Sequence, residues 1–155
     1  MLYHQTASPQ KLEVKAGFGN YEGFNLGLCN SFKKLRLEYG IGTDLNLYGQ
    51  GFLIAAHASA GRILTLKKPS SIHSLSLNFK ITAWKLSNKS NVFSALSPSV
   101  EFQYQRKISG HYRLGIFCGA AWTYIFQYER KTYEDVGYAR EWLPNFGLTL
   151  YRKLK

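Results

Sequence analysis

The chain has 155 residues, so we expect one domain. Its 20 Lys+Arg against 9 Asp+Glu give a net charge of +11, an excess that suits nucleic acid, an anionic membrane surface or an acidic partner. No apolar stretch approaches the roughly 18 residues that a transmembrane helix needs, which excludes a helical membrane protein. Residues 1–10 lack the apolar segment of a signal peptide and are expected to be a flexible segment ahead of a single domain, 1–155.

Apolar and polar side chains alternate with a period of two along most of the chain, which predicts β-strands. The first strand covers Lys11–Gly19, and the second starts at Phe24 after a polar turn. The third runs from Leu35 to about Leu47, and the fourth follows Gly49-Gln50-Gly51. The third strand shows the two faces most clearly: Leu35, Leu37, Tyr39, Ile41, Leu45 and Leu47 against Arg36, Glu38, Gly40, Asp44 and Asn46.

Four further strands continue the pattern. The fifth carries Leu75 to Ala83 and is followed by a polar loop, Ser87 to Ser97. The remaining predicted segments are a sixth strand with Val100, Phe102 and Tyr104, a turn at Arg106–Gly110, a seventh strand from Tyr112 to Phe126, a charged loop from Tyr128 to about Leu143, and a last strand with Phe146, Leu148 and Leu150.

The strands are unusually long. Runs of about 10 residues or more exceed the usual soluble strand of about 5–6 and match a tilted bilayer crossing of about 9–11. Short and long connections also tend to alternate, as in outer-membrane barrels. We therefore predict an all-β, antiparallel, up-and-down transmembrane β-barrel of about eight strands. Its predicted lipid-facing residues are Leu37, Leu77, Phe79, Leu114, Ile116 and Leu148.

The end of the chain supports this interpretation. The segment 145–152, Asn-Phe-Gly-Leu-Thr-Leu-Tyr-Arg, has a glycine followed by alternating apolar residues with an aromatic close by. It resembles the C-terminal strand of small Gram-negative outer-membrane β-barrel proteins, although Lys153-Leu154-Lys155 follows where that family usually ends on an aromatic. The resemblance implies the bacterial outer membrane, and we assume that the required signal peptide is absent from this numbering.

The polar faces predict the contents of the lumen. Charges inside a small barrel need partners, so we expect a plugged, charge-paired interior, with a narrow polar path or a ligand site as the alternative. The predicted lumen network is Arg36, Glu38, Asp44, His57, Lys80, Glu101 and Arg113. His57-Ala58-Ser59 is similar to the His-x-Ser pair of outer-membrane lipid A deacylases, but Ala60 departs from their pattern; packing inside the lumen is the other interpretation.

Basic residues concentrate at one end of the predicted barrel. The predicted periplasmic rim is Lys33, Lys34, Lys67, Lys68, Arg106, Lys107 and Lys153. It is either a solvated rim or a surface for anionic lipid headgroups or for another outer-membrane or periplasmic protein. Nucleic acid is not expected, because no aromatic residues are interleaved with these cations as stacking platforms.

No cofactor or metal is expected, since Cys29 and Cys118 fit no metal or redox spacing; whether they form a disulfide stays open. The leading hypothesis is a non-enzymatic outer-membrane barrel, acting as a structural or accessory subunit or as a minor small-solute pore. One alternative is a soluble barrel resembling lipocalins or fatty-acid-binding proteins, with an apolar ligand inside. A second alternative is an outer-membrane lipid A-modifying hydrolase.

Overall fold

A computed structural model of the protein describes residues 11–43, 52–64, 72–87, 91–130 and 139–154. These ranges contain eight strands that follow one another along the chain. The strands are β1 Lys11–Gly19, β2 Gly23–Phe32, β3 Leu35–Thr43, β4 Phe52–Leu64, β5 His73–Ser87, β6 Asn91–Lys107, β7 Tyr112–Arg130 and β8 Ala139–Lys153.

Each strand pairs antiparallel with its neighbours in sequence, and β8 pairs with β1, so the sheet closes on itself. The prediction of an eight-stranded, antiparallel, up-and-down barrel is confirmed. Closure leaves no unpaired strand edge, which satisfies the backbone hydrogen bonds without help from solvent. The β2–β3 connection is a two-residue turn in which Lys33 has a φ of 51°. Positive φ is typical of the tight turns that match the twist of the strands they join.

The register of the strands shows how far the sheet is staggered as it closes. A path from each residue to its partner on the next strand, followed once around the barrel, leaves β4 at Leu64 and returns to β4 at Ile54, ten residues away. It passes through the successive paired residues Leu64, Leu75, Tyr104, Ile116, Leu148, Phe18, Phe24, Thr43 and Ile54. With about 3.3 Å per residue and about 4.8 Å between strands, this stagger tilts the strands by about 40° from the barrel axis.

The two faces of the wall are inverted relative to a water-soluble protein. Large apolar side chains point outward and are exposed, including Leu26 at 62% and Ile41 at 68% of their surface. The interior is polar and charged: Lys15, Arg36, Glu38, His57 and Lys80 are all buried. All six residues that the sequence predicts on the lipid face point outward: Leu37, Leu77, Phe79, Leu114, Ile116 and Leu148.

Two predicted loops are wrong in part, because the strands extend further than the alternation shows. Residues 91–97 belong to β6 rather than to a loop, and residues 139–143 belong to β8. The β6–β7 register shifts between Ser94 and Ala95, so these two neighbours are both buried. A bulge of this kind breaks the period of two on which the prediction depends. The end predicted for the third strand, near Leu47, lies outside the described residues.

Candidate functional site

The upper half of the lumen, toward the β1–β2 hairpin, is organised around Lys80 of β5. Its ammonium lies 2.6 Å from a carboxylate oxygen of Glu22 and 2.6 Å from one of Glu101. Glu22 comes from the turn between β1 and β2, and Glu101 from the neighbouring strand β6. Asn145 Nδ2 donates to the same Glu101 oxygen at 2.6 Å. One lysine therefore ties a hairpin turn to the opposite wall.

His57 continues this network toward the centre. Its Nε2 lies 3.3 Å from Lys15 Nζ, and its Nδ1 lies 3.6 Å from a Glu22 oxygen. Because an ammonium group only donates, Nε2 accepts the hydrogen bond from Lys15. The imidazole proton then sits on Nδ1 and faces the Glu22 carboxylate. His57 thereby bridges a cation and an anion inside the barrel.

Glu38 is the centre of the lower half. It lies 2.5 Å from Arg36 Nε and 3.1 Å from Lys15 Nζ, and Tyr151 Oη donates to it at 3.1 Å. Gln103 Nε2 in turn donates to Tyr151 Oη at 2.7 Å. The hydrogen bonds that Lys15 and Tyr151 donate to the Glu38 carboxylate are charge-assisted, which makes them about twice as strong as those between neutral groups.

Tyr151 is fully buried at the lower end of the lumen. The Arg36 guanidinium lies 4.3 Å from the centre of the Tyr151 ring, and that of Arg113 lies 5.4 Å from it. Arg113 is also ion-paired with Glu13 of β1. The aromatic ring is thus held between two cations, each of which has its own carboxylate partner.

Charge balances inside the barrel. Within the described ranges the lumen holds four basic side chains (Lys15, Arg36, Lys80 and Arg113) and four acidic ones (Glu13, Glu22, Glu38 and Glu101), and each makes at least one ion pair. A barrel of about eight strands is just wide enough for its side chains to fill. Within the described ranges, paired charges therefore occupy the lumen.

The structure brings most of the predicted lumen residues together. Arg36, Glu38, His57, Lys80 and Glu101 are buried in one network, and Arg113 lies at its lower end. Asp44 lies outside the described residues. Sequence reasoning missed two acidic members. Glu13 could have been found from its place between Leu12 and Val14, whereas Glu22 sits in a turn, where no periodicity applies.

The candidate reactive groups do not form a site. His57 and Ser59 both belong to the inward face of β4, but His57 contacts Lys15 and Glu22. The two cysteines are free: Cys29 is buried and Cys118 is exposed. Across the described ranges, no cluster of three His, Cys, Asp or Glu side chains could hold a metal ion. The same ranges include no helix with the length and apolar character to span a bilayer.

The predicted rim lies at the end of the barrel where β2 turns into β3 and β6 into β7, which we call the basic end. Lys33, Lys34, Arg106, Lys107 and Lys153 are all exposed there. Lys67 and Lys68 of the predicted rim lie outside the described residues.

Comparison with known proteins found a protein of similar structure but none of similar sequence. No protein-family model matches the chain, and no curated protein matches it by sequence. The fold is similar to a crystal structure of Neisserial surface protein A (NspA), with a TM-score of 0.51 and 10% identity over 94% of this chain and 96% of that chain. At this identity the similarity shows a shared fold alone.

Proposed function

We propose that the protein is a non-enzymatic integral β-barrel of a bacterial outer membrane, with a structural or accessory role and a lumen closed by charge pairing. The observation that carries this proposal is the inverted wall, with apolar residues outside and ion pairs inside. Exposed apolar surface of this extent stabilises a fold only where something apolar covers it. The similarity in fold to a bacterial surface protein supports the same assignment.

The polar residues that bound the apolar band are separated by about the height of a bilayer core. On the outer face of β5, His73 and Lys85 stand at the two ends, and every outward residue between them is apolar: Leu75, Leu77, Phe79, Ile81 and Ala83. At a tilt of about 40°, the twelve residue-to-residue steps from His73 to Lys85 rise by about 30 Å. That rise matches a hydrocarbon core of about 30 Å.

Aromatic residues border the band near the end opposite the basic end. Trp122 and Trp142 are paired across β7 and β8, and their ring centres lie 5.0 Å apart in an edge-to-face arrangement. Trp142 exposes 68% of its surface on the outside of the wall. Tryptophan is enriched where a membrane meets water, because its ring is apolar and its N–H is polar.

The alternatives fit the geometry less well. A soluble lipocalin-like barrel needs an apolar interior, but the interior here is charged. A hydrolase needs a nucleophile beside a base, and His57 is committed to Lys15 and Glu22. A solute pore needs an open path, which the ion pairs of Lys80 and Glu38 occupy.

The test is refolding from urea into detergent micelles and into phosphatidylcholine vesicles. We expect heat-modifiable mobility in gels, protection of the barrel from protease in vesicles, and no discrete conductance steps in a planar bilayer. A stable monomer refolded in water without detergent would support the soluble alternative instead. Regular conductance steps would show an open pore and contradict the closed lumen.

A further inference from the structure

A set of arginines points sideways from the barrel at the basic end. Arg62, Arg106 and Arg152 occupy outward positions near the ends of β4, β6 and β8, and all three are exposed. In register they lie beside apolar outward residues: Arg62 pairs with Leu77 and Arg106 with Leu114. We call these three residues the arginine belt, which borders the apolar band directly.

Aromatic rings on the same face accompany the belt. The Arg152 guanidinium lies 5.9 Å from the centre of the Tyr112 ring, so this side chain rests against the wall. Arg106 is paired in register with His73, whose Nδ1 lies 2.5 Å from Tyr104 Oη. Tyrosine near a membrane boundary places its ring in the apolar region and its hydroxyl among the headgroups.

The belt has no acidic partner within the described part of the chain. The exposed ionisable groups described near this end are basic: Lys11, Lys33, Lys34, Arg62, His73, Arg106, Lys107, His111, Arg152 and Lys153. Glu13, the nearby carboxylate, is buried and paired with Arg113. Cations inside the lumen are thus neutralised within the molecule, whereas the belt is available for an external anion.

We propose that the arginine belt binds the phosphate groups of anionic phospholipids in the leaflet at the basic end. This inference rests on the proposed function, because it requires a bilayer around the apolar band. The guanidinium fork matches phosphate oxygens in geometry and stays charged. Sideways orientation on three alternate strands suits a ring of separate lipids better than an acidic protein docking onto the end of the barrel.

The experiment compares two triple variants that each remove three positive charges. The test variant carries Arg62→Gln, Arg106→Gln and Arg152→Gln; the control carries Lys33→Gln, Lys34→Gln and Lys107→Gln, all at or next to turns. Each folded barrel is titrated in neutral detergent with phosphatidylglycerol or phosphatidylcholine, and bound lipid is counted by native mass spectrometry. We expect the test variant to lose at least fivefold in preference for phosphatidylglycerol and the control less than twofold.

Equal losses in the two variants would mean general charge attraction and would overturn the proposal. Displacement of phosphatidylglycerol by millimolar inorganic phosphate would also overturn it, because the belt would then be a free-anion site. If the triple variant fails to fold, the three single Arg→Gln variants replace it, and each is expected to lose part of the preference. Failure of the wild type to enter phosphatidylcholine vesicles would refute the proposed function, whereas insertion without lipid preference would refute the belt alone.

Discussion

Lys80 and Lys85 lie on the same strand but on opposite sides of the wall. Lys80 is buried between the carboxylates of Glu22 and Glu101, whereas Lys85 is exposed on the outside of the wall, near the end of β5 that lies opposite the basic end. Removing one partner of a buried ion pair leaves an uncompensated charge, which costs about 3–5 kcal/mol. An exposed lysine away from such features changes stability by about 0.5 kcal/mol at most.

We therefore expect Lys80→Met to lower the free energy of unfolding by about 3–5 kcal/mol and Lys85→Met by about 0.5 kcal/mol or less. Urea unfolding of both variants in the same detergent, followed by far-UV circular dichroism, measures the difference. A loss of similar size at both positions would contradict the lumen network.

The tryptophans provide a second comparison between the two sides of the wall. Trp84 points inward and donates from Nε1 to Ser97 Oγ at 2.9 Å, whereas Trp142 points outward. In vesicles with brominated acyl chains, we expect strong fluorescence quenching of a variant that retains only Trp142 and weak quenching of one that retains only Trp84. Equal quenching would mean that both rings contact lipid or that neither does.

For individual residues, the sequence predicts which way a side chain points but not which residue it pairs with. Arg36 and Glu38 stand on the polar face of the alternating pattern in β3, so their inward direction could be predicted. Pairs between strands could not be predicted: Lys80 pairs with Glu101 of the neighbouring strand, and Arg113 pairs with Glu13 across the β7–β8–β1 seam. Which charges pair between strands depends on the stagger of the closed barrel. No local pattern in a single sequence reveals that stagger.

At the scale of the elements, two facing glycines make room for His57. Gly27 of β2 and Gly40 of β3 are paired in register, and Gly40 is also paired with His57 of β4. A Cβ on Gly40 would lie 2.8 Å from His57 Cε1 and 2.9 Å from Gly27 Cα. Such approaches are too short for an added methyl group unless the strand or the imidazole moves.

Gly40→Ala is expected to lower the free energy of unfolding by about 1–3 kcal/mol, the usual cost of overpacking. The control is Gly110→Ala in the β6–β7 turn, where an added Cβ meets nothing within 4 Å. Its expected effect is close to zero. The midpoint of urea unfolding in detergent measures both, and a neutral Gly40→Ala would show that the lumen has spare volume.

Among the elements, β6 and β8 were the least predictable. The early part of β6 contains three serines, a register shift and Pro98, so its composition resembles a loop. Strands such as β3 and β5 keep strict alternation, so the sequence locates the start of β3 and both ends of β5 to within a few residues. Tertiary pairing with β5 and β7 extends β6 where local propensity alone would end it.

For the whole molecule, the depth of a charge on the outer face should decide its cost. Phe79 lies midway between His73 and Lys85 on β5, while Leu64 lies at the end of β4 beside the arginine belt. Both side chains point outward. We expect Phe79→Arg to lose about 2–4 kcal/mol of stability in phosphatidylcholine vesicles and Leu64→Arg about 0–1 kcal/mol. Equal losses would contradict a bilayer centred on Phe79.

The ten-residue stagger has a consequence for errors of assembly. A strand that slipped by one residue would turn all its side chains to the wrong face, so the smallest slip that keeps the faces is two residues. Such a slip changes the stagger to eight or twelve and alters the barrel's width. It also separates partners on adjacent strands, such as Lys80 and Glu101. Misregistered barrels of this protein therefore form a discrete set of species, each separated from the native one by a full two-residue step.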